Sequence, residues 1–170
     1  MNGNFEQSLA YVLKSEGGFA VLPNDPGGMT NLGVTKATYE AYVNRPVDEA
    51  EMRSLTPDLV APLYKKMFWN RVKGDDLPVG VDYCVFDFAV NSGVGRAAKC
   101  LQVALNLPAD GIIGPITLHA LEVRDPEEII QQVCAERLEF LQSLNTWKFF
   151  GKGWANRVNT VERQAIAMLT

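Results

Sequence analysis

Three oxygen-bearing side chains near the N-terminus stand at a spacing that suits acid–base chemistry: Glu16, Asp25 and Thr30. Glu16 opens the run Glu16-Gly17-Gly18-Phe19, just after a segment in which Phe5, Leu9, Val12 and Leu13 recur at helical spacing. A helix C-terminus disfavours negative charge by about 0.3–1 kcal/mol, so selection for helix stability alone would place Lys or Arg there. The same field, with partial burial, favours the protonated carboxyl that a general acid needs near neutral pH. The paired glycines leave room beside it for a bulky substrate. The alternative is a solvated glutamate at a helix end.

Eight residues separate Glu16 from Asp25, and four more separate Asp25 from Thr30. Two carboxyl groups on neighbouring elements are the minimum equipment for glycoside hydrolysis: one protonates the leaving oxygen, the other activates water or stabilises the cationic transition state. The Thr30 hydroxyl suits holding that water. Against these roles stand ordinary loop roles, a turn residue before Pro26 for Asp25 and a loop hydrogen bond for Thr30.

The elements that must position these groups are mostly helical. Asn4 caps the first helix, with Gln7 three residues on, and Gly17-Gly18 stops it. Residues 19–34, rich in Gly, Pro, Asn and Asp, read as a loop with a short β-hairpin within it. Thr35 caps a helix over residues 37–43. Thr56-Pro57 opens a helix through Trp69, and Asp125-Pro126 repeats the signal before a helix to about residue 144. The apolar run 79–90 is too long for an ordinary strand and reads as a buried helix. Further helices are expected over residues 95–105, 115–121 and 153–169.

At this point the sequence resembles a known family. Glu16-Gly17-Gly18-Phe19 is similar to the Glu-Gly-Gly-Tyr hallmark of glycoside hydrolase family 108, the N-acetylmuramidases, with the ring kept and the hydroxyl lost. Asp25-Pro26-Gly27-Gly28 and Thr30-Asn31-Leu32-Gly33-Val34-Thr35 resemble the same pattern. The resemblance implies that Glu16 is the essential catalytic residue. Phage-type lysozymes, a more distant likeness, space Glu, Asp and Thr by eight and five residues; here the second gap is four. Phe86-Asp87-Phe88-Ala89-Val90-Asn91-Ser92-Gly93 resembles a helix end common in lysozyme-like folds, which implies a substrate contact for Asn91, with a helix cap as the alternative. Asp110-Gly111-Ile112-Ile113-Gly114-Pro115-Ile116-Thr117 and residues 150–158 are similar to peptidoglycan-binding modules that accompany family 108.

The expectation is thus a mainly α, lysozyme-like fold, with a catalytic muramidase region over residues 1–94 and a helical peptidoglycan-binding-like region over 95–170 packed against it. The expected reaction is hydrolysis of the β-1,4 bond between N-acetylmuramic acid and N-acetylglucosamine in bacterial walls. Glu16 is the general acid, and Asp25 and Thr30 attend to water. Phe19, Tyr39, Trp69 and Asn91 are the candidate substrate contacts. For Trp69, as for Trp154, core packing is the competing role.

Composition fits this reading and excludes others. The 170 residues carry 16 Lys/Arg against 20 Asp/Glu, a net charge of −4, with no basic cluster of the kind nucleic-acid binding needs. One histidine and three scattered cysteines, Cys84, Cys100 and Cys134, support neither a metal site nor a disulfide framework, and all three read as buried free thiols. No cofactor is implied. The N-terminus lacks a signal-peptide pattern, and no apolar run is of membrane-spanning length. The expectation is synthesis in the cytoplasm and action on the wall after holin-type release, as a phage endolysin or a secretion-associated enzyme. A lytic transglycosylase or chitinase on the same scaffold, or a non-catalytic wall-binding protein, are the rival readings.

Overall fold

A computed structural model describes residues 4–21, 23–24 and 28–170. Fourteen elements follow one another along them, and helices dominate. The chain forms two compact units, one of Leu9–Met67 and one of Met1–Ser8 with Phe68–Thr170. These packing units part at Met67/Phe68, elsewhere than the motif boundary near 94/95.

Helix α1 (Phe5–Ser15) starts directly after Asn4 and ends one residue before Glu16, where the tandem glycines were expected to stop it. Gly17 takes a left-handed φ of +33°, which a glycine adopts without steric penalty. Within the larger unit the Asn4 side-chain amide donates to the buried Asp82 carboxylate at 2.8 Å.

In the smaller unit the loop-rich stretch contains a three-stranded antiparallel sheet in the order β1 (Ala20–Val21), β2 (Met29–Asn31), β3 (Val34–Thr35). Ala20 pairs with Thr30, and Thr30 pairs with Thr35. Asn31 pairs with Val34 across a two-residue turn. Leu32 at φ 51° and Gly33 at φ 75° both lie left-handed, as a type I′ hairpin turn requires. Leucine is an unusual occupant of that region. Strands this short contribute little by themselves. What holds β2 is Asn31, 5% exposed, whose amide donates to the Met52 carbonyl at 2.9 Å.

Helix α2 (Lys36–Val43) begins at the expected cap, the Thr35 side chain accepting from the Thr38 N–H. Helix α3 (Glu49–Arg53) was not anticipated; Asp48 caps it by accepting from the Glu51 N–H. Its five residues are too few for a readable apolar period. Helix α4 (Pro57–Tyr64) starts at Thr56-Pro57 as read, then widens into a π-helical turn over Lys65–Trp69.

In the larger unit, helix α5 (Val81–Ser92) is buried from Val81 to Ala89. That confirms the reading of the long apolar run. Helices α6 (Val94–Ala104), α8 (Pro126–Gln142) and α9 (Trp147–Ala167) pack around it, and α7 (Pro115–Glu122) follows the Asp110-Gly111 turn. Gln102, 2% exposed, holds that turn: its amide donates to Asp110 Oδ1 at 2.7 Å and to the Ile112 carbonyl at 3.0 Å, and its carbonyl accepts from the Gly111 N–H. Helix α9 begins six residues before Gly153, where the sequence placed it, and Trp147 in its first turn lays its ring over Gly151, which thereby fills a packing role.

Two polar features lie inside this helical core. Asp87, 1% exposed, accepts from Arg157 Nε at 3.0 Å with both carboxylate oxygens and lies 3.7 Å from Arg137 Nη1. Arg137 is wholly buried, with its guanidinium 4.9 Å from the centre of the Phe88 ring. The thiols of Cys84 and Cys134 meet at 3.3 Å without a covalent bond, and Cys100 is buried nearby in sequence terms on α6. All three cysteines are therefore buried free thiols, as read.

Candidate active site

Glu16 sits in the turn that ends α1, its N–H bonded to the Leu13 carbonyl at 3.2 Å. It is half-buried. Its carboxylate lies against the hairpin turn: a Cβ on Gly33 would stand 2.9 Å from Glu16 Oε2 and 3.0 Å from Glu16 Cβ. The same point lies 2.5 Å from the Tyr64 hydroxyl. Tyr64, 2% exposed, donates from that hydroxyl to the Leu32 carbonyl at 2.8 Å. Three elements of the smaller unit thus meet at one place: the end of α1, the left-handed hairpin turn and the last residue of α4. Gly33 is required there twice, by its positive φ and by the absence of a side chain that would displace the carboxylate. Backbone held in a sparsely populated region by surrounding contacts is a frequent mark of functional sites.

Thr30 occupies the central strand, half-buried, and strand alternation points it opposite to the buried Asn31. Asp25 lies outside the described residues. Phe19 is half-buried beside β1, with the Arg53 guanidinium 4.0 Å from its ring centre, a cation–π contact that covers one ring face. Arg53 is itself held by Glu49 at 2.8 Å.

Two of the expected sugar contacts are core residues instead. Trp69 is 1% exposed, with the edges or faces of Phe5 and Phe86 at 5.4 and 5.3 Å and its indole N–H donating to Asp75 at 2.9 Å. No face of that ring is left for a sugar, so packing decided its role. Tyr39 is 7% exposed on α2 and belongs to the core of the smaller unit. Asn91 is exposed near the end of α5 in the larger unit. Its side-chain oxygen accepts from Arg137 Nη2 at 3.4 Å and from the Ser92 hydroxyl at 3.1 Å. It does not cap the helix; Gly93 does, at φ 97° with its N–H on the Ala89 carbonyl.

Sequence reasoning passed over Tyr64, Gly33 and Arg53. Tyr64 closes an apolar stripe with Val60 and Leu63, so its periodicity signals burial and hides its hydroxyl. The signal for Gly33 was present: a Leu-Gly pair between two β-prone segments marks a two-residue turn that needs positive φ. Among the described residues, no group of three or more His, Cys, Asp and Glu side chains is placed to hold a metal ion. The described residues bring together, at the hairpin turn, a half-buried carboxyl at a helix end and a buried tyrosine hydroxyl.

The family model described as Glycosyl hydrolase 108 matches residues 9–93. A solved structure of Brucella abortus SagA is 42% identical, covers 99% of this chain and is itself covered over 97%, with a TM-score of 0.85. The chain belongs to glycosyl hydrolase family 108. A second model, described as Predicted Peptidoglycan domain, matches residues 96–159 of this family 108 protein. No curated protein matches it. The mainly α fold with a small sheet after the first helix is lysozyme-like, as the sequence led us to expect. Family and domain together make the protein a glycoside hydrolase with peptidoglycan as its substrate.

Proposed function

We propose that this family 108 protein is an N-acetylmuramidase of the endolysin type, with Glu16 as its general acid. The observation that carries the reading is the placement of the Glu16 carboxyl against the Gly33 turn and the Tyr64 hydroxyl, within the region matched by the hydrolase family. Glu16 gives its proton to the oxygen of the leaving N-acetylglucosamine as that oxygen parts from C1 of N-acetylmuramic acid. Water then supplies the new oxygen at C1. Asp25 takes the proton of that water or stabilises the cationic sugar, and Thr30 holds the water through its hydroxyl. Phe19 and Asn91 contact the glycan.

Among the described residues no helix is long and apolar enough to cross a membrane. In our reading the protein is made in the cytoplasm and meets the wall after release through holin-type pores. The test is turbidity loss of outer-membrane-permeabilised Gram-negative cells, wild type against Glu16→Gln, with mass spectrometry of the products. Lysis by wild type alone, with reducing muramic-acid ends, is the expected outcome. Anhydro-muramic ends replace the assignment with a lytic transglycosylase. Equal lysis by both proteins removes Glu16 from the mechanism, and lysis by neither turns the reading to a wall-binding protein.

A further inference from the structure

Helix α9 opens with a segment unlike the rest of the chain: Trp147-Lys148-Phe149-Phe150-Gly151-Lys152-Gly153-Trp154. Two of the three tryptophans of the protein are here. Phe149 is 72% exposed and Phe150 55% exposed. Trp147, Phe150 and Trp154 are three, four and seven residues apart, so they share one stripe of the helix. Their rings touch, with centroids 6.3 Å apart for Trp147 and Trp154 and 5.6 Å for Phe150 and Trp154. Gly151 lets the first of these rings lie down on the helix, since a Cβ there would meet its Cε2 at 2.5 Å. Phe149 projects on the other flank, with the Lys148 ammonium 4.9 Å from its ring centre.

The charge of this segment is also exceptional. Between Glu139 and Glu162 the chain has no acidic residue and carries Lys148 and Lys152 at its surface, with Arg157 turned to the buried Asp87, in a protein whose net charge is −4. A surface of exposed rings and uncompensated cations, mounted on a helix, loses little entropy when it binds. It fits a ligand that offers both apolar faces and negative charge. Peptidoglycan offers both, in the flat faces of its sugar rings and the carboxylates of its stem peptides. An anionic bilayer is the other surface of that chemistry, but it rewards a continuous apolar face. Here the rings are interrupted by Lys148, Lys152 and two glycines, and the exposed positions that follow, Asn156, Asn159 and Arg163, are polar.

We propose that this face of α9 is where the larger unit grips peptidoglycan, with Phe149, Phe150 and Trp154 against the sugars and Lys148 and Lys152 on the stem-peptide carboxylates. The inference rests on peptidoglycan being the substrate and adds a holding surface apart from Glu16. It also distinguishes this face from the cleft of about 250 Å³ that Leu107, Ile112, Pro115 and Ile116 line beside the Asp110 turn.

The experiment is co-sedimentation of the full chain with purified sacculi, in the Glu16→Gln background so that the wall stays intact. Exchanging Phe149 and Phe150 together for Ser is expected to weaken binding on the order of tenfold, since each ring contributes beyond its buried area. Exchanging Lys148 and Lys152 for Gln weakens binding and flattens its salt dependence. Exchanging Ile112 and Ile116 for Ser leaves it unchanged. Thermal unfolding of each variant confirms that the fold is kept. Unchanged binding in the α9 variants, or loss only in the Ile112/Ile116 variant, overturns the proposal. So does dependence on the α9 residues for phosphatidylglycerol vesicles but not for sacculi. Because binding is read without hydrolysis, its failure is separate from failure of the muramidase assignment, which product analysis decides.

Discussion

Replacing Gly33 by Ala tests the architecture around Glu16 most directly. The added methyl meets the Tyr64 hydroxyl at 2.5 Å, Glu16 Oε2 at 2.9 Å and Glu16 Cβ at 3.0 Å. The hydroxyl cannot retreat freely, because it is tied to the Leu32 carbonyl at 2.8 Å on a side chain that is 2% exposed, and Glu16 Cβ is fixed by its own backbone. The left-handed φ of 75° adds a backbone penalty. That penalty is about 1–2 kcal/mol for an L-residue, and overpacking a tight site costs about 1–3 kcal/mol. Gly33→Ala is therefore expected to destabilise by about 2–5 kcal/mol, a large share of the roughly 5–15 kcal/mol that holds a typical domain. Urea unfolding of wild type and variant measures it. Activity should fall further than stability accounts for, since a displacement of about 1 Å in a reacting group costs on the order of a hundredfold. The mechanism has a signature in the double variant. Tyr64→Phe alone loses one hydrogen bond, about 0.5–1.5 kcal/mol, but it removes the closest obstacle to the new methyl. In that background Gly33→Ala should cost less by about 1 kcal/mol or more, a coupling that groups in contact show. A Gly33→Ala variant within about 0.5 kcal/mol of wild type, or strictly additive effects in the double variant, would refute the packing argument.

Other outcomes follow from the larger unit. Asp87→Asn strands the Arg137 and Arg157 charges in the core and should cost about 3–5 kcal/mol by chemical denaturation; a loss below 1 kcal/mol would mean the guanidiniums find other partners. The Asp110 carboxyl is held below its ordinary value, first by the Gln102 amide and then by the Ile112 N–H. A lowered folded-state value contributes stability above the unfolded value of 3.8 and loses it as pH falls through the lowered one. The gap in melting temperature between wild type and Asp110→Ala should accordingly be widest near neutral pH and close on acidification below the usual carboxylate range. A gap that widens in acid would reverse the sign and sink the assignment. Burial pushes the Cys100 thiol up to about 12, and the hydrogen bond with Cys134, together with burial, raises Cys84. All three thiols are buried, so a thiol reagent should label none of them in the native protein at neutral pH and all three after unfolding.

The legible part of this protein was what short-range rules govern. Thr35, Thr56-Pro57 and Asp125-Pro126 announced their helices because cap and proline chemistry is local, and the run through Phe86 and Phe88 announced burial by length. Helix α3 escaped because five residues carry no usable period, and the start of α9 because Gly151 serves Trp147 and not a helix end. At the candidate site, the position of Glu16 just past the end of α1 was legible from the tandem glycines that follow it. Tyr64 was not, since its hydroxyl matters only through the turn 32 residues away in sequence, a pairing that folding alone creates. Trp69 illustrates the opposite error. Its ring suggested a sugar platform, but Phe5, Phe86 and Gly74 close around it and leave it 1% exposed.

The Asp87 cluster has a consequence for how the molecule comes apart. One carboxylate on α5 answers guanidiniums from α8 and α9, and the Arg137 Nε and Nη1 atoms have no hydrogen-bond partner to spare. Neither helix can peel away from α5 without exposing the core to an unbalanced charge, so partial opening of this unit is nearly as unfavourable as complete unfolding. Among the described residues, the smaller unit shows no comparable buried ion pair across its strands of two and three residues. Amide protons of α5 should then exchange with solvent only through global unfolding, while those of the hairpin exchange through local openings. A protease acting on the native protein would find its first cut in the smaller unit, where local openings expose backbone that the larger unit keeps closed.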